Sequence, residues 1–74
     1  MYRYYLTQRP AMLGTFPKPQ GNKVLRVENF DQRTFCEEVG REAWAYVEYE
    51  KPVSEFLLRN FEMVEGGSHN DKGV

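Results

Sequence analysis

Cysteine and histidine, the residues most often recruited as nucleophile, base or soft metal ligand, each occur once in this chain, as Cys36 and His69. A structural zinc site needs three or four convergent ligands. A thiol nucleophile needs a base held within hydrogen-bonding reach. Nearly half the chain separates the two residues, so neither a metal site nor a Cys–His dyad is expected. Carboxylates are plentiful, as Glu37-Glu38, Glu42 and the alternate pair Glu48 and Glu50. Acid/base catalysis would require two of them in one pocket with their pKa values driven apart. Nothing nearby marks such a pocket, and solvated charge is the simpler account. Gly66-Gly67 lacks the spaced glycines, Lys and Ser/Thr of a phosphate loop. The chain therefore reads as a non-enzyme with no catalytic residue, no metal and no cofactor.

Binding chemistry is present in two opposite kinds. The opening YRYYLTQR sets tyrosine rings beside guanidinium groups, the combination that stacks bases and holds phosphates of single-stranded nucleic acid. Arg3, Tyr5, Arg9, Lys18 and Lys23 are the candidate residues for that role. The other kind is acidic. Glu37, Glu38, Glu42, Glu48 and Glu50 can present a negative potential to a basic protein surface and steer association. From Met1 to Val27 there are five cations and no acid, whereas from Glu28 onward eleven acids stand against five cations. Strand pairing would interleave the two halves and neutralise them across strands; without it, the fold carries one basic and one acidic face. The overall charge is −1, a poor footprint for a general polyanion binder, so a protein partner is expected ahead of nucleic acid.

Strands and turns must hold these groups, and 74 residues are enough for one domain. A domain of this size buries only about 60% of the surface its unfolded chain exposes. The 41% hydrophobic and 15% aromatic content compensates, because each buried ring removes about 150–250 Å2 from water. A single cysteine excludes an intrachain disulfide, the usual staple of small secreted domains, which points to a reducing cytoplasm. No apolar run reaches the roughly 18 residues of a membrane span, and MYRYYLTQ has no signal-peptide core. Neither export nor membrane insertion is expected.

Residues Tyr2–Thr7 alternate Tyr2, Tyr4 and Leu6 against Arg3, Tyr5 and Thr7, the period-two pattern of a strand. Pro10, Gly14, Pro17, Pro19 and Gly21 make the following stretch a loop. A second strand runs from Lys23 to about Val27. Asp31 is an acceptable N-cap, Phe30 and Phe35 fit a hydrophobic staple, and Gly40 fits the position after a helix end. A short helix is expected there, with an irregular loop as the alternative because two turns are barely stable alone. Ala43–Glu50 alternates clearly, placing Trp44, Tyr46, Glu48 and Glu50 on one side and Ala45, Val47 and Tyr49 on the other. Ser54-Glu55 behind Pro52 opens a second short helix to about Asn60. Its adjacent Phe56, Leu57 and Leu58 cannot share one face, so an exposed patch suited to a homodimer is a further expectation. Phe61–Val64 closes the sheet, and GGSHNDKGV has nothing to bury. The fold class is α+β: one domain over residues 1–65 with a small, mostly antiparallel sheet of three to four strands and one or two short helices, then a flexible tail over 66–74.

The strings YYLTQRP, GTFPKP, NFDQRTF, VGREAWAYVEYEKP and FEMV resemble a family of very small proteins carried on conjugative and phage-like elements of gut Firmicutes, some labelled for defence against restriction. The chain departs from that pattern at Cys36–Glu38, where a proline-containing extended segment is usual, and at Ser54–Asn60, where a more polar helix opening is usual. The resemblance implies no catalytic residues. It implies an anti-defence role, and the size and acidity are similar to those of anti-CRISPR proteins, many of which occlude the Arg- and Lys-rich DNA-binding surface of a nuclease. On that basis the expected partner is a host defence protein such as a CRISPR nuclease, met through Glu37, Glu38, Glu42, Glu48 and Glu50. A regulatory nucleic-acid-binding module and a homodimeric accessory protein are the alternatives.

Overall fold

Alternation of apolar and polar side chains organises most of residues 1–68, which are the residues described by the computed structural model. Four strands and one helix follow in the order β1 (Tyr2–Leu6), β2 (Val24–Cys36), β3 (Arg41–Tyr49), α1 (Glu55–Asn60) and β4 (Met63–Ser68). The sheet runs β2-β3-β1-β4 with every neighbouring pair antiparallel. Strands dominate and one short helix is present among the described residues, so the architecture is mostly β rather than an even α+β mixture.

One sheet face carries the core. Tyr4 and Leu6 of β1, Ala45, Val47 and Tyr49 of β3, and Met63 of β4 are buried together with Ala11 and Val53. The loop between β1 and β2 and helix α1 cover this face, since Leu57, Leu58, Phe61 and Phe16 pack against the same cluster. Two buried tyrosines make polar ties to that covering layer. The Tyr49 hydroxyl donates to the Pro17 carbonyl at 2.7 Å, and the Tyr4 oxygen accepts the Val53 N–H at 2.9 Å. Each large apolar side chain so buried stabilises the fold by about 1.5–3 kcal/mol. The ring hydroxyls avoid the penalty of an unpaired buried polar group by bonding to loop backbone.

The helix expected near Asp31–Gly40 does not form. Instead β2 continues to Cys36, far past Val27, and Thr34, Phe35 and Cys36 pair with Ala43, Glu42 and Arg41. A two-turn helix has no stability of its own, whereas extension of β2 adds ladder hydrogen bonds and uses the strand preference of Thr34 and Phe35. The register shifts between Val24 and Arg26 and again between Asn29 and Thr34, so β2 is bulged and bent. Gly40 is used in the turn rather than after a helix. Its φ is 67°, and its N–H bonds the Cys36 carbonyl at 2.9 Å, a left-handed backbone that glycine adopts without cost.

Helix α1 forms where expected, with Ser54 Oγ accepting the Leu57 N–H at its start. Its apolar triplet does not stay exposed as a unit: Leu57 and Leu58 turn toward the core, and Phe56 alone remains 71% exposed. The last strand runs through Gly66 to Ser68 and pairs with β1, so backbone expected to begin a tail at Gly66 belongs to the sheet. The remaining tail residues, 69–74, with His69 among them, lie outside the described residues. No helix among the described residues is long and apolar enough to cross a membrane.

Candidate functional site

The sheet face opposite the core is built from the alternate residues of the same strands. The β1–β3 register sets Arg3 against Glu48 and Tyr5 against Tyr46. On this face Arg3 Nε and Nη2 both donate to Glu48 Oε2, at 2.8 and 2.6 Å, and the guanidinium lies 4.1 Å from the Tyr46 ring centroid. Glu48 is only 4% exposed. A carboxylate so buried is tolerated because it is paired and hydrogen-bonded. The arginine stacked on an aromatic ring adds a cation–π contact of about 0.5–2 kcal/mol.

Glu38 completes the cluster from the turn between β2 and β3. Tyr5, 5% exposed, donates its hydroxyl to Glu38 Oε1 at 2.6 Å, and Arg3 Nη1 lies 3.8 Å from the same oxygen. The long hairpin therefore curls across the outer face until its turn reaches β1. Gly66 of β4 lies beneath: a Cβ at that position would stand 2.8 Å from Tyr5 Cε1 and 3.1 Å from Glu38 Oε1. Around the cluster, Tyr46 packs against both Tyr5 and Phe30, with ring centroids 5.7 and 6.0 Å apart.

These contacts move the titrations in definite directions. Burial, then the hydrogen bond to Glu38, pushes the Tyr5 hydroxyl up to about 12. Burial disfavours the charged guanidinium of Arg3, but hydrogen bonds with Tyr5 and Glu48 outweigh it and leave the group more firmly protonated than usual. Burial, then the Glu38 carboxylate, raises the Cys36 thiol. Because the thiolate is the reactive form, Cys36 is poorly suited to nucleophilic chemistry at neutral pH. No group of three or more His, Cys, Asp or Glu residues placed to hold a metal occurs among the described residues.

The five candidate acids occupy three different settings. Glu48 is buried under Arg3, and Glu38 bonds Tyr5. Glu42 is exposed and pairs with Arg33 at 3.5 Å. Glu37 is exposed in the hairpin turn, and Glu50 lies beyond the other end of β3, beside Lys23 in a shallow groove. Eight strand residues, or about 26 Å, separate Glu42 from Glu50, so only Glu37, Glu38 and Glu42 share one end of the molecule. The candidate nucleic-acid residues separate too. Arg3 and Tyr5 are locked in the outer-face cluster, Arg9 pairs with Glu62 at 2.6 Å, and Lys18 and Lys23 lie on the opposite, loop-covered side. A ring that would stack a base, Tyr46, is already occupied by Arg3.

Arg3–Glu48, Arg9–Glu62 and Arg26–Glu28 join the basic half of the chain to the acidic half. Of these, Arg3–Glu48 spans neighbouring strands, Arg26–Glu28 lies within β2, and Arg9–Glu62 joins the loop after β1 to the turn before β4. Three members of the outer-face cluster went unmarked by sequence reasoning: Tyr46, Phe30 and Gly66. Alternation along β3 does place Tyr46 beside Glu48, but nothing local distinguishes Gly66 from a tail glycine.

The model of one family, defence against restriction A C-terminal, matches residues 1–68, the whole of the described fold including both the buried cluster and β4. The chain belongs to that family. The match takes in Gly66 as well as Arg3, Tyr5, Glu38 and Glu48, so the defence-against-restriction family extends over every residue of the outer-face cluster. Comparison with curated proteins and with solved structures gives no match.

Proposed function

We propose that this protein is a non-enzymatic anti-restriction protein of a phage or other mobile element, acting in the host cytoplasm by binding a host defence protein. The observation that carries the proposal is the family match over residues 1–68. A binding role is supported by the buried charged cluster among the described residues, which is internally satisfied: Glu48 is held by Arg3, and Glu38 accepts the Tyr5 hydroxyl. Such a network fixes the position of the β2–β3 hairpin turn at little entropic cost on binding. The turn then offers Glu37 and Glu42 to a basic surface, steering association electrostatically.

In its narrowest form the proposal is anti-CRISPR inhibition, with the hairpin end occupying part of a DNA-binding surface rich in Arg and Lys. The test expresses the chain in cells carrying a defined restriction or CRISPR system and measures plating efficiency of a targeted phage. Wild type is expected to protect, and Glu37→Lys with Glu42→Lys to lose protection while remaining folded. Glu38 and Glu48 are left intact because reversing them would disrupt the cluster beneath. Absence of protection against every system tried would overturn the proposal; protection by the double reversal would overturn its acidic-surface version alone.

A further inference from the structure

Strand pairing between β2 and β3 is interrupted part-way along the hairpin. Asn29 faces Ala45 and Thr34 faces Ala43, so the β2 residues from Phe30 to Arg33 stand opposite Trp44 alone. An interruption of this kind breaks the ladder and lets the strand pair bend. Beyond it, Thr34, Phe35 and Cys36 pair with Ala43, Glu42 and Arg41, and the turn closes with the Gly40 N–H on the Cys36 carbonyl at 2.9 Å. This end lies outside the core: no residue from Val24 to Glu42 is buried, and neither the core cluster nor the side chains packed on it include any residue from 25 to 44. In the sheet, β2 neighbours β3 and no other strand. Among the described residues, the hydrogen bond and the ion pair that tie residues 34–42 to β1 both end on Glu38 Oε1. The Tyr5 hydroxyl donates to it at 2.6 Å, and Arg3 Nη1 lies 3.8 Å away.

We infer that residues 34–42 form a hinged arm, latched against β1 by Glu38 and released when that carboxylate lets go of Tyr5 and Arg3. The hinge is the unmatched stretch from Phe30 to Arg33, where backbone torsions can change without breaking a paired rung of the ladder. The arm keeps its own shape, because Thr34, Phe35 and Cys36 stay paired with Ala43, Glu42 and Arg41. With no side chain buried from Thr34 to Glu42, opening exposes little apolar surface, and such segments open locally without unfolding the rest. The latch therefore sets the balance between closed and open arm. Gly66 is part of it: a Cβ there would stand 3.1 Å from Glu38 Oε1, so the carboxylate reaches Tyr5 over a residue without a side chain. Phe35, Glu37 and Glu42 ride on the arm, and release moves all three together relative to β1.

Backbone nitrogen relaxation dispersion by NMR, which detects exchange with a minor conformer on the μs–ms scale, tests this with the full chain. Tyr5→Phe removes the hydroxyl and keeps the ring, and Glu38→Ala removes the carboxylate. Glu37→Ala, at an exposed neighbour in the same turn, is the control. In both latch variants the amides of residues 34–42 are expected to share one exchange process. Its open fraction should exceed the wild-type value by about ten- to a hundredfold, the worth of a hydrogen bond to a charged group. An arm already mostly open shows instead as chemical shifts of residues 34–42 that move together. Tyr4, Val47 and Tyr49 are expected to stay flat, and Glu37→Ala to match wild type. Flat profiles with wild-type shifts over residues 34–42 in both latch variants overturn the inference. So does exchange that extends to Tyr4, Val47 and Tyr49, because the sheet then opens as a whole, and so does an equal response to Glu37→Ala.

Discussion

Gly66→Ala adds one methyl group at the point where β4, β1 and the hairpin turn meet. The new Cβ would lie 2.8 Å from Tyr5 Cε1 and 3.1 Å from both the Arg3 carbonyl oxygen and Glu38 Oε1. Carbon atoms in contact prefer about 3.5–4.0 Å, so the Tyr5 ring must move by about 0.7 Å. That ring is 5% exposed, packs on Tyr46 and donates a 2.6 Å hydrogen bond to Glu38. Overpacking of this sort costs about 1–3 kcal/mol. Weakening a hydrogen bond to a charged group costs up to about 1.5–3 kcal/mol more. Gly66 has an ordinary extended backbone, so the lower entropy of an unfolded alanine returns about 0.4–1 kcal/mol. The net loss is about 2–4 kcal/mol, and the midpoint of thermal unfolding followed by circular dichroism is expected to fall by roughly 10–25 °C. The same substitution in a Tyr5→Phe background should cost about 1–2 kcal/mol less, because the hydrogen bond it disturbs is already absent. Wild-type stability in Gly66→Ala, or strict additivity of the two changes, would refute the packing described for this junction.

Glu48→Gln removes the closer of Arg3's two counter-charges, leaving Glu38 at 3.8 Å, and loss of one partner of a buried pair costs up to about 3 kcal/mol, readable as a lower urea midpoint. Arg3→Met with Glu48→Leu together should recover most of that loss, since the buried Glu48 charge is gone and Glu38 keeps its hydrogen bond from Tyr5. The Tyr5 hydroxyl titrates near 12 in the fold against an ordinary 10.0, so its stabilising contribution is complete below about pH 10. It is lost as pH rises from about 10 to 12, and urea midpoints should drop over that window as tyrosinate absorbance appears; a flat profile would contradict the burial of Tyr5. Tyr4 and Tyr49 are shifted up by burial as well, so Tyr5→Phe should reduce the drop without abolishing it. Ser54→Ala removes the acceptor for the Leu57 N–H and should cost about 1 kcal/mol by urea unfolding.

Local pattern carried strands expected over Tyr2–Thr7 and Ala43–Glu50 and observed over Tyr2–Leu6 and Arg41–Tyr49, the capped helix after Ser54, and the grouping of Tyr4 with Leu6 on one strand face and of Ala45, Val47 and Tyr49 on another; that the two faces share one core came from the pairing of the strands. The local features follow from period-two alternation and a side-chain cap, both of which act over a few residues. The segment from Asp31 to Gly40 was ambiguous on the same grounds. Its capping residues suit a helix, but pairing with Arg41–Ala43 outweighed them once the turn at Gly40 brought the partner strand alongside. Gly66 looked like tail because a glycine pair has no side chain to bury; its place depends on Tyr5 and Glu38, which are remote in sequence.

The candidate site divides in the same way. That the chain holds opposite charges in its two halves, and that Arg3 and Tyr5 share a strand side, is written in the order of residues. Which charges cancel is not, because antiparallel register sets Arg3 on Glu48 and buries the pair, while Glu37 and Glu42 stay at the surface. Electrostatic interaction depends on distance and on exclusion of water, and both are set by how the strands align and which way the β2–β3 hairpin bends.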